Sequence, residues 1–286
     1  MPKQPVLSLG KLNIFREGGD LLIAGIDCLD LRSTLDCGQA FRFTENPDGS
    51  WQGIAHRRLL KLSLNEDTLR LYGVSESEFE SLWRVYLDLD RDYSRIIRTL
   101  SANETLKMAA EFSRGVRVLR QDAWETLCSF IISQNNHIAR IKGIITRLCG
   151  DFGDPVPGGF SFPEPERLAS CSPEQLAGLR AGFRAAYIID AAQKVAGGDI
   201  NLGALPDMPY GDAQAELMKI RGVGPKVADC TLLFGCGRIE SFPQDVWIKR
   251  AMKQLFDGCL PECAVPCAGI AQQYLFYFAR QTKLVI

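Results

Sequence analysis

The sequence has no long hydrophobic run, no strong net charge and very little histidine. No stretch of about eighteen apolar residues occurs in the chain, so we expect neither a transmembrane helix nor a membrane partner. The N-terminus, MPKQPVLSLGK, lacks the apolar core that a secretory signal peptide needs. The formal net charge of −1 does not point to a nucleic-acid partner. His56 and His137 are the only histidines, which leaves little support for a zinc site built on them.

Cysteine, in contrast, is frequent. Ten cysteines in a chain without a secretory signal predict reduced thiols in a cytoplasm. Cys259, Cys263 and Cys267 are spaced C-x3-C-x3-C, and no fourth cysteine follows them. An iron–sulfur cluster needs four suitably spaced thiolates. We therefore expect free thiols and no bound metal.

The near-zero net charge hides two basic segments. Residues 114–147 hold six Lys or Arg against two Asp or Glu, and residues 216–253 hold seven against four. A protein that is neutral as a whole can still bind phosphate groups through basic local faces. The charge balance therefore does not exclude a nucleic-acid partner.

The pattern of apolar residues changes near residue 76. Residues 12–73 alternate short apolar runs with turn signals, among them Asn46-Pro47-Asp48-Gly49 and Asn65-Glu66-Asp67, which predicts antiparallel strands. The segments beyond residue 76 space their apolar residues helically. We therefore predict an α+β protein, with an antiparallel strand-rich N-terminal domain over residues 1–112 and a mostly α-helical domain over residues 113–286.

Residues 217–230, LMKIRGVGPKVADC, predict two helices joined by a tight turn. Gly222 and Gly224 supply the positive φ and the close backbone approach that a bulkier residue would resist. Pro225 suits the first turn of the second helix. The backbone N–H groups of the turn, with Val223 at its centre, then point outward and form a cradle for phosphate. We expect a helix–hairpin–helix that binds a DNA backbone without reading its sequence.

Lys226 and Asp245 are the candidate catalytic residues. Lys226 lies in the first turn of the second helix, where the positive end of the helix dipole disfavours an ammonium. A lysine that is partly the free amine is a nucleophile able to form a Schiff base with a sugar carbon. Asp245 follows a second loop, where it can cap the next helix and stabilise a cationic sugar or move a proton. Two alternatives stay open: an ordinary turn with a solvated lysine, and an aspartate that only caps its helix.

Five separate blocks of sequence, in family order, carry a resemblance. They are GQAFRF at 38–43, LRQDAWETLCSFIISQNNHIARI at 119–141, GFRAAYI at 182–188, the hairpin with PQDV at 243–246, and AGIAQQYLF at 268–276. Through these blocks the chain resembles the 8-oxoguanine DNA glycosylase/AP lyase family of base-excision repair, within the helix–hairpin–helix glycosylase superfamily. The resemblance implies that the helical domain is a helix–hairpin–helix glycosylase domain, in agreement with the pattern above.

The resemblance implies four DNA-binding residues outside the hairpin. Asn135 would fill the space left by an extruded nucleotide, and Arg140 and Arg184 would reach the acceptor edge of the orphaned cytosine. Phe183 occupies the position of an aromatic wedge that helps to kink the duplex, where the family usually has tyrosine. His137 replaces an asparagine of the usual triplet, which bears on opposite-base stringency. Taken alone, the asparagine is also compatible with a helix cap, and each arginine with a solvated charge.

The resemblance also implies a pocket for the damaged base. The backbone carbonyl of Gly38 would accept the N7–H that distinguishes 8-oxoguanine from guanine, because a carbonyl cannot become a donor. Gln272 would pair with the Watson–Crick edge, since its amide both donates and accepts. Phe276, one helical turn later, would stack on one side of the base, and Cys230 would cover the other. Plain core packing is the alternative for Phe276 and Cys230.

The mechanism that the resemblance implies starts with attack of Lys226 on C1′ of the sugar. Asp245 helps to activate the lysine or stabilises the cationic sugar as the base departs. The resulting Schiff base permits β-elimination, which cuts the strand 3′ of the lesion. Trp247 stands where family members often have histidine, a departure that bears on a phosphate contact or on the pocket edge.

Two other functions stay open beside this one. A related glycosylase for alkylated purines would typically lack the hairpin lysine, so Lys226 counts against it. A non-catalytic DNA-binding module would not need Lys226, Asp245 and Gln272 together. We expect the partner to be double-stranded DNA that contains oxidised guanine, and the protein to be a monomer.

We expect a prokaryote-like, nucleoid-associated protein of the cytoplasm. No cofactor is required in this interpretation. The resemblance adds a monovalent cation at the hairpin, bound by backbone carbonyls near Met218, Ile220 and Val223.

Overall fold

The computed structural model describes residues 7–9 and 11–282 of the chain. These residues fall into two compact units. Unit 1 takes in the described parts of residues 1–53, 59–119 and 250–286, and unit 2 consists of residues 54–58 and 120–249. No helix within the described ranges is both long and apolar enough to cross a membrane.

Seven of the strands form one antiparallel sheet, in the order β1-β2-β3-β7-β6-β5-β4. They are β1 (Leu7–Leu9), β2 (Leu12–Glu17), β3 (Asp20–Ala24), β4 (Phe43–Glu45), β5 (Trp51–Ala55), β6 (Arg58–Asn65) and β7 (Thr68–Leu71). The tip of the β5–β6 hairpin, residues 54–58, is grouped with unit 2. A separate two-stranded ribbon in unit 2 joins β8 (Pro155–Val156) to β9 (Gly159–Phe160).

Alternating burial along the strands explains why these segments pair. Ile14 lies opposite Ile23, and Leu62 opposite Leu71, and all four side chains are fully buried. The predicted turn at Asn46–Gly49 joins β4 to β5, with the Asn46 N–H donating to the Ser50 carbonyl at 2.7 Å. The predicted turn at residues 65–67 joins β6 to β7. Both hairpin predictions are confirmed.

The remaining elements are helices. They are α1 (Leu31–Leu35), α2 (Glu76–Glu78), α3 (Arg84–Tyr86), α4 (Tyr93–Leu100), α5 (Glu104–Phe112), α6 (Ala123–Ser133), α7 (Ile138–Phe152), α8 (Pro165–Ala169), α9 (Arg184–Ala196), α10 (Tyr210–Met218), α11 (Pro225–Cys230), α12 (Val246–Phe256) and α13 (Ala268–Gln281). A π-helical turn, Phe79–Trp83, lies between α2 and α3, and a second one, Thr231–Gly235, follows α11. The predicted class, α+β with a strand-rich N-terminal part followed by a helical part, is confirmed.

Helix α13 is the part of the fold that departs most from chain order. It belongs to unit 1, together with the sheet, although it comes after all of unit 2 in the sequence. The Gln273 side chain donates to the Cys37 sulfur at 3.3 Å, and the Arg280 guanidinium donates to the Cys37 carbonyl at 3.2 Å. These bonds tie the last helix to the segment that follows α1. Compactness therefore divides the chain differently from the single predicted boundary between residues 112 and 113.

Unit 2 has two interruptions between helices that matter for function. Residues 134–137 separate α6 from α7, and residues 219–224 separate α10 from α11. In the first interruption Asn135 has a left-handed φ of 47°, and His137 caps α7 by accepting the Arg140 N–H on Nδ1 at 3.3 Å. Each interruption exposes backbone at a helix terminus.

Candidate active site

The turn between α10 and α11 is built around one glycine. Gly222 has a φ of +78°, and a Cβ on it would lie 2.2 Å from Cδ2 of the Tyr187 ring. Both the conformation and the lack of space therefore exclude a side chain here. The Val223 N–H donates to the Ile220 carbonyl at 3.0 Å, so the prediction that it points outward is wrong, because this bond closes the turn.

Gly224 differs from the prediction. Its φ is −104° and its ψ −177°, an extended conformation, and no heavy atom lies within 4 Å of the position of a Cβ. The expectation of a positive φ was wrong for this residue because Pro225 follows it, and the residue before a proline is driven to extended backbone. Pro225 is the first residue of α11, as predicted.

Lys226 lies in the first turn of α11 with its amine held from α6. Its Nζ donates to the Ser133 hydroxyl at 3.2 Å and lies 4.7 Å from the centroid of the Phe130 ring. Lys226 lines a cavity of about 430 Å³. The other lining residues are Gln134, Gly224, Pro225, Val227, Asp229, Gln244 and Lys249. The lysine is thus the fixed primary amine of a cavity rather than a solvated surface charge.

Cys230 follows Lys226 by one helical turn and is buried, with 2% of its surface exposed. Burial raises the pKa of the Cys230 thiol to about 11, although the charge of the nearby Lys226 and a hydrogen bond with it act in the opposite direction. The thiol is therefore protonated at neutral pH. The structure brings Cys230 and Lys226 together, as their spacing on one helix face predicts.

Asp245 caps α12. Its Oδ1 accepts the Ile248 N–H at 2.8 Å, and its carbonyl accepts the Lys249 N–H at 2.9 Å. Its negative charge adds to the raised pKa of the Cys230 thiol. The cap holds the carboxylate, which is half-buried, in one orientation. Asp245 is not among the residues that line the Lys226 cavity.

Asn135 and Arg184 are directly connected. The Arg184 guanidinium donates from Nε to the Gln134 carbonyl at 2.8 Å and from Nη2 to the same carbonyl and to the Asn135 carbonyl, the latter at 3.0 Å. Its Nη1 donates to the Ala181 carbonyl at 3.1 Å. Burial and the nearby Arg140 lower the pKa of Arg184. The resemblance implies that both residues belong to one site, and the structure adds that the arginine holds the backbone of the asparagine turn.

Phe183 and Arg140 are more open. Phe183 is 54% exposed, and its ring meets the edge of Tyr187 at a centroid distance of 5.5 Å. The Arg140 guanidinium donates to the Arg180 carbonyl at 3.4 Å, a long bond on an exposed side chain. Both side chains are therefore accessible to a partner.

The predicted base-pocket residues of unit 1 also lie in suitable settings. Gly38 has a φ of 100°, which only glycine adopts readily, and the preceding Cys37 is bonded to α13 as described above. Gln272, on α13, is buried at 5% exposure, and its Oε1 has no hydrogen-bond donor among the described residues. A buried acceptor without a donor is costly, which points to a ligand as its partner. Phe276 is half-buried one turn further along α13.

Ser133 and Asp229 also make contacts near Lys226 or on its helix, and neither residue was predicted as part of the site. Ser133 was part of a quoted motif, yet its partner, Lys226, lies 93 positions away, so no local signal could reveal the contact. Asp229 accepts bonds from Tyr210 and Gln214 on its Oδ1, at 2.5 and 2.6 Å. Burial raises the pKa of Asp229, although these two bonds act in the opposite direction.

The described ranges contain no cluster of side chains that is typical of a metal centre. No group of three or more His, Cys, Asp or Glu side chains there is arranged to hold an ion. All ten cysteines are free. Burial raises the pKa of the Cys267 thiol to about 11, and the nearby Cys263 adds to the effect.

Two family models match the chain. Residues 22–127 match the N-terminal domain of 8-oxoguanine DNA glycosylase, and residues 128–258 match the HhH-GPD superfamily of base excision DNA repair proteins. The N-glycosylase/DNA lyase of Saccharomyces cerevisiae is 38% identical over 157 residues, 49% of this chain and 42% of that protein. The chain therefore spans less than half of that relative's length.

Solved structures match over nearly the whole chain. MBOgg1 in complex with a low-affinity DNA ligand is 42% identical, with a TM-score of 0.90, over 96% of this chain and 99% of that one. The Clostridium acetobutylicum 8-oxoguanine glycosylase/lyase, in complex with double-stranded DNA that carries cytosine opposite 8-oxoguanine, is 32% identical, with a TM-score of 0.89, over 96% of this chain and all of that one. With the hairpin lysine, the capping aspartate and the two family matches in place, the chain belongs to the 8-oxoguanine DNA glycosylase family of the helix–hairpin–helix superfamily.

Proposed function

We propose that this protein removes 8-oxoguanine opposite cytosine from double-stranded DNA and then cuts the strand at the abasic site. It is a bifunctional DNA glycosylase and AP lyase. The observation that carries the proposal is the amine of Lys226, which lines a cavity while Ser133 binds its Nζ at 3.2 Å. A DNA-binding module without catalysis has no use for an amine fixed in this way.

Base removal begins at the sugar of the flipped nucleotide, because the glycosidic bond is out of reach inside the base stack. The lone pair of the Lys226 free amine attacks C1′ as the bond from C1′ to N9 breaks. The electron pair of that bond leaves with the base, which takes up a proton. The carboxylate of Asp245, held by its bond from the Ile248 N–H, stabilises the positive charge that develops on the sugar.

Strand cleavage follows from the covalent bond between Nζ and C1′. The nitrogen loses a proton, and its lone pair forms the C1′=N bond of a Schiff base as the C1′–O4′ bond breaks, with the electron pair of that bond and a proton going to O4′. The Schiff base is a cation and withdraws electrons from C2′. A proton leaves C2′, the double bond forms between C2′ and C3′, and the 3′ phosphate departs with the electron pair of its C–O bond. No external oxidant or reductant takes part.

Recognition of the lesion falls to unit 1 in this proposal. The Gly38 carbonyl accepts the N7–H of 8-oxoguanine, which guanine lacks. Gln272 contacts the Watson–Crick edge, and its Oε1, which has no donor among the described residues, accepts from the base. Phe276 stacks on the ring. A guanine would leave the Gly38 carbonyl without its donor, and this loss discriminates against the undamaged base.

Unit 2 handles the duplex in the same proposal. The backbone N–H groups of Gly222 and Gly224 bind phosphate, Phe183 wedges between base pairs, and Asn135 fills the vacated space. Arg140, which is exposed and makes one long bond, donates to the orphaned cytosine. Arg184 first holds the Asn135 turn, and it reaches the cytosine by exchanging one of its bonds to backbone carbonyls.

The test uses a labelled duplex with one 8-oxoguanine opposite cytosine, with and without borohydride. We expect strand cleavage and a borohydride-trapped covalent complex for the wild type, and neither for Lys226→Gln. Lys107→Gln, which removes an exposed lysine of α5 that pairs with Glu104 at 3.9 Å, is the matched control and should behave as the wild type. Tight lesion binding without cleavage or trapping in the wild type would contradict the proposal.

Opposite-base discrimination needs a separate comparison. Duplexes with 8-oxoguanine opposite each of the four bases report the cytosine preference, and Arg140→Ala should flatten it. A preference unchanged in Arg140→Ala would refute the role given to Arg140, while leaving the glycosylase activity itself intact.

A further inference from the structure

The hydroxyl of Ser133 can act only as an acceptor toward other groups. Ser133 is the last residue of α6, and its Oγ donates to the Phe130 carbonyl at 2.8 Å. A hydroxyl has a single proton and two lone pairs, so this bond uses its only donor. Whatever else approaches the oxygen must donate to it.

Lys226 is the group that approaches. Its Nζ lies 3.2 Å from Ser133 Oγ, so an N–H of the lysine points at the serine. The same Nζ lies over the Phe130 ring, which stacks on Phe234 at a centroid distance of 5.3 Å and an angle of 15°. Both rings are buried, at 4% and 3% exposure, and therefore form a rigid platform. The end of α6 thus fixes the end of a side chain that originates on α11.

Orientation of the nitrogen decides whether it can react. A free amine has two N–H bonds and one lone pair, and only the lone pair can attack carbon. An acceptor such as Ser133 engages an N–H and leaves the lone pair free, whereas a donor would engage the lone pair. Ser133 is the contact that favours a reactive orientation.

We propose that Ser133 is a positioning residue that holds the Lys226 amine with its lone pair free for attack on C1′. The inference rests on the proposed glycosylase function and adds a residue to it. It differs from a purely structural role, in which Ser133 only ends α6 through its bond to the Phe130 carbonyl. The two roles predict different effects on chemistry and on binding.

The experiment compares Ser133→Ala, Ser133→Thr and Ser170→Ala. Ser170 is the matched control, because it lies at the C-terminus of α8 as its cap residue, and its hydroxyl donates to the carbonyl three residues earlier, that of Arg167 at 3.3 Å. No lysine contact is found for it among the described residues. Single-turnover excision should be about 10- to 100-fold slower in Ser133→Ala, as expected for the loss of one hydrogen bond to a charged or reacting group. The dissociation constant for a duplex with a stable abasic-site analogue should stay within about twofold of the wild type.

Two further readouts separate positioning from packing. Ser133→Thr keeps the hydroxyl and should recover most of the rate, and Ser170→Ala should match the wild type. Borohydride trapping on a preformed abasic site, which bypasses base removal, should slow in Ser133→Ala by a similar factor, because the same amine attacks the same carbon.

Several outcomes would overturn the inference. They are a wild-type rate in Ser133→Ala, a Ser133→Thr variant as slow as Ser133→Ala, and slow excision combined with normal trapping on the abasic site. Failure of the proposed function looks different, since the wild type itself would then give no excision and no trapped complex.

Discussion

Replacing Gly222 by alanine should destabilise unit 2 strongly. The added Cβ would lie 2.2 Å from Tyr187 Cδ2 and 2.6 Å from Tyr187 Cγ, so the obstruction is the root of the ring and not a flexible end. An L-residue at the φ of +78° costs about 1–2 kcal/mol, and forcing a carbon into a packed position costs about 1–3 kcal/mol more. The expected loss in the free energy of unfolding is therefore about 2–5 kcal/mol.

Gly224→Ala is the matched control two residues away. Gly224 has a φ of −104°, and no atom lies within 4 Å of the position of its Cβ. Alanine fits this conformation and restricts the unfolded chain, so we expect a change between zero and a gain of about 1 kcal/mol. The same substitution should weaken DNA binding if the open backbone of Gly224 contacts phosphate.

Urea denaturation, followed by far-ultraviolet circular dichroism, measures both variants. The double variant Gly222→Ala/Tyr187→Ala isolates the steric part: relative to Tyr187→Ala alone, adding Gly222→Ala should cost only the backbone part, about 1–2 kcal/mol. If Gly222→Ala unfolds at the same urea concentration as Gly224→Ala, the argument from φ and from the Tyr187 contact is wrong.

Three further predictions concern single side chains. Trp247 is 43% exposed, whereas the other three tryptophans are at most 7% exposed. Binding of lesion DNA should therefore change the tryptophan fluorescence of the protein, and Trp247→Phe should abolish that change. An equal fluorescence change in the variant would contradict a role of Trp247 at the DNA face. Arg184→Lys loses the planar fork that serves the carbonyls around Asn135 and should lower the free energy of unfolding by about 1–3 kcal/mol in thermal or urea melts, and an unchanged melt would count against that role. Iodoacetamide at pH 7.5 should alkylate the exposed Cys259 well before the buried Cys230. Burial raises the pKa of the Cys230 thiol to about 11, so this thiol is protonated and unreactive at pH 7.5. Mass spectrometry that found both cysteines labelled at the same rate would refute this prediction.

The parts of the fold that are set by neighbouring residues could be predicted from the sequence. The turn at Asn46–Gly49 and the break between α10 and α11 follow from Gly, Pro and Asn chemistry within a few positions. Asp245 as a helix cap belongs to the same class, since its partner, the Ile248 N–H, is three residues away. Local chemistry also explains the extended backbone of Gly224, because Pro225 follows it.

Contacts between distant residues could not be predicted in this way. Ser133 meets Lys226 across 93 positions, and Arg184 meets the Gln134 carbonyl across 50. Neither pair has a periodicity or a motif that links its two members. The resemblance to a known family named Arg184 as a site residue, yet its bonds to backbone carbonyls came only from the structure. The orphaned Oε1 of Gln272 is likewise a property of packing.

The return of the chain to unit 1 after residue 249 has a consequence for biosynthesis. Residues 120–249 of unit 2 are continuous and can pack as soon as they leave the ribosome, with only residues 54–58 supplied from earlier in the chain. Unit 1 can complete its packing only after α13 has been synthesised, because Gln273 and Arg280 of α13 are bonded to Cys37. A nascent chain therefore holds the amine that performs the chemistry before it holds α13 and Gln272, so a prematurely terminated product would carry the nucleophile without the residue proposed to recognise the damaged base.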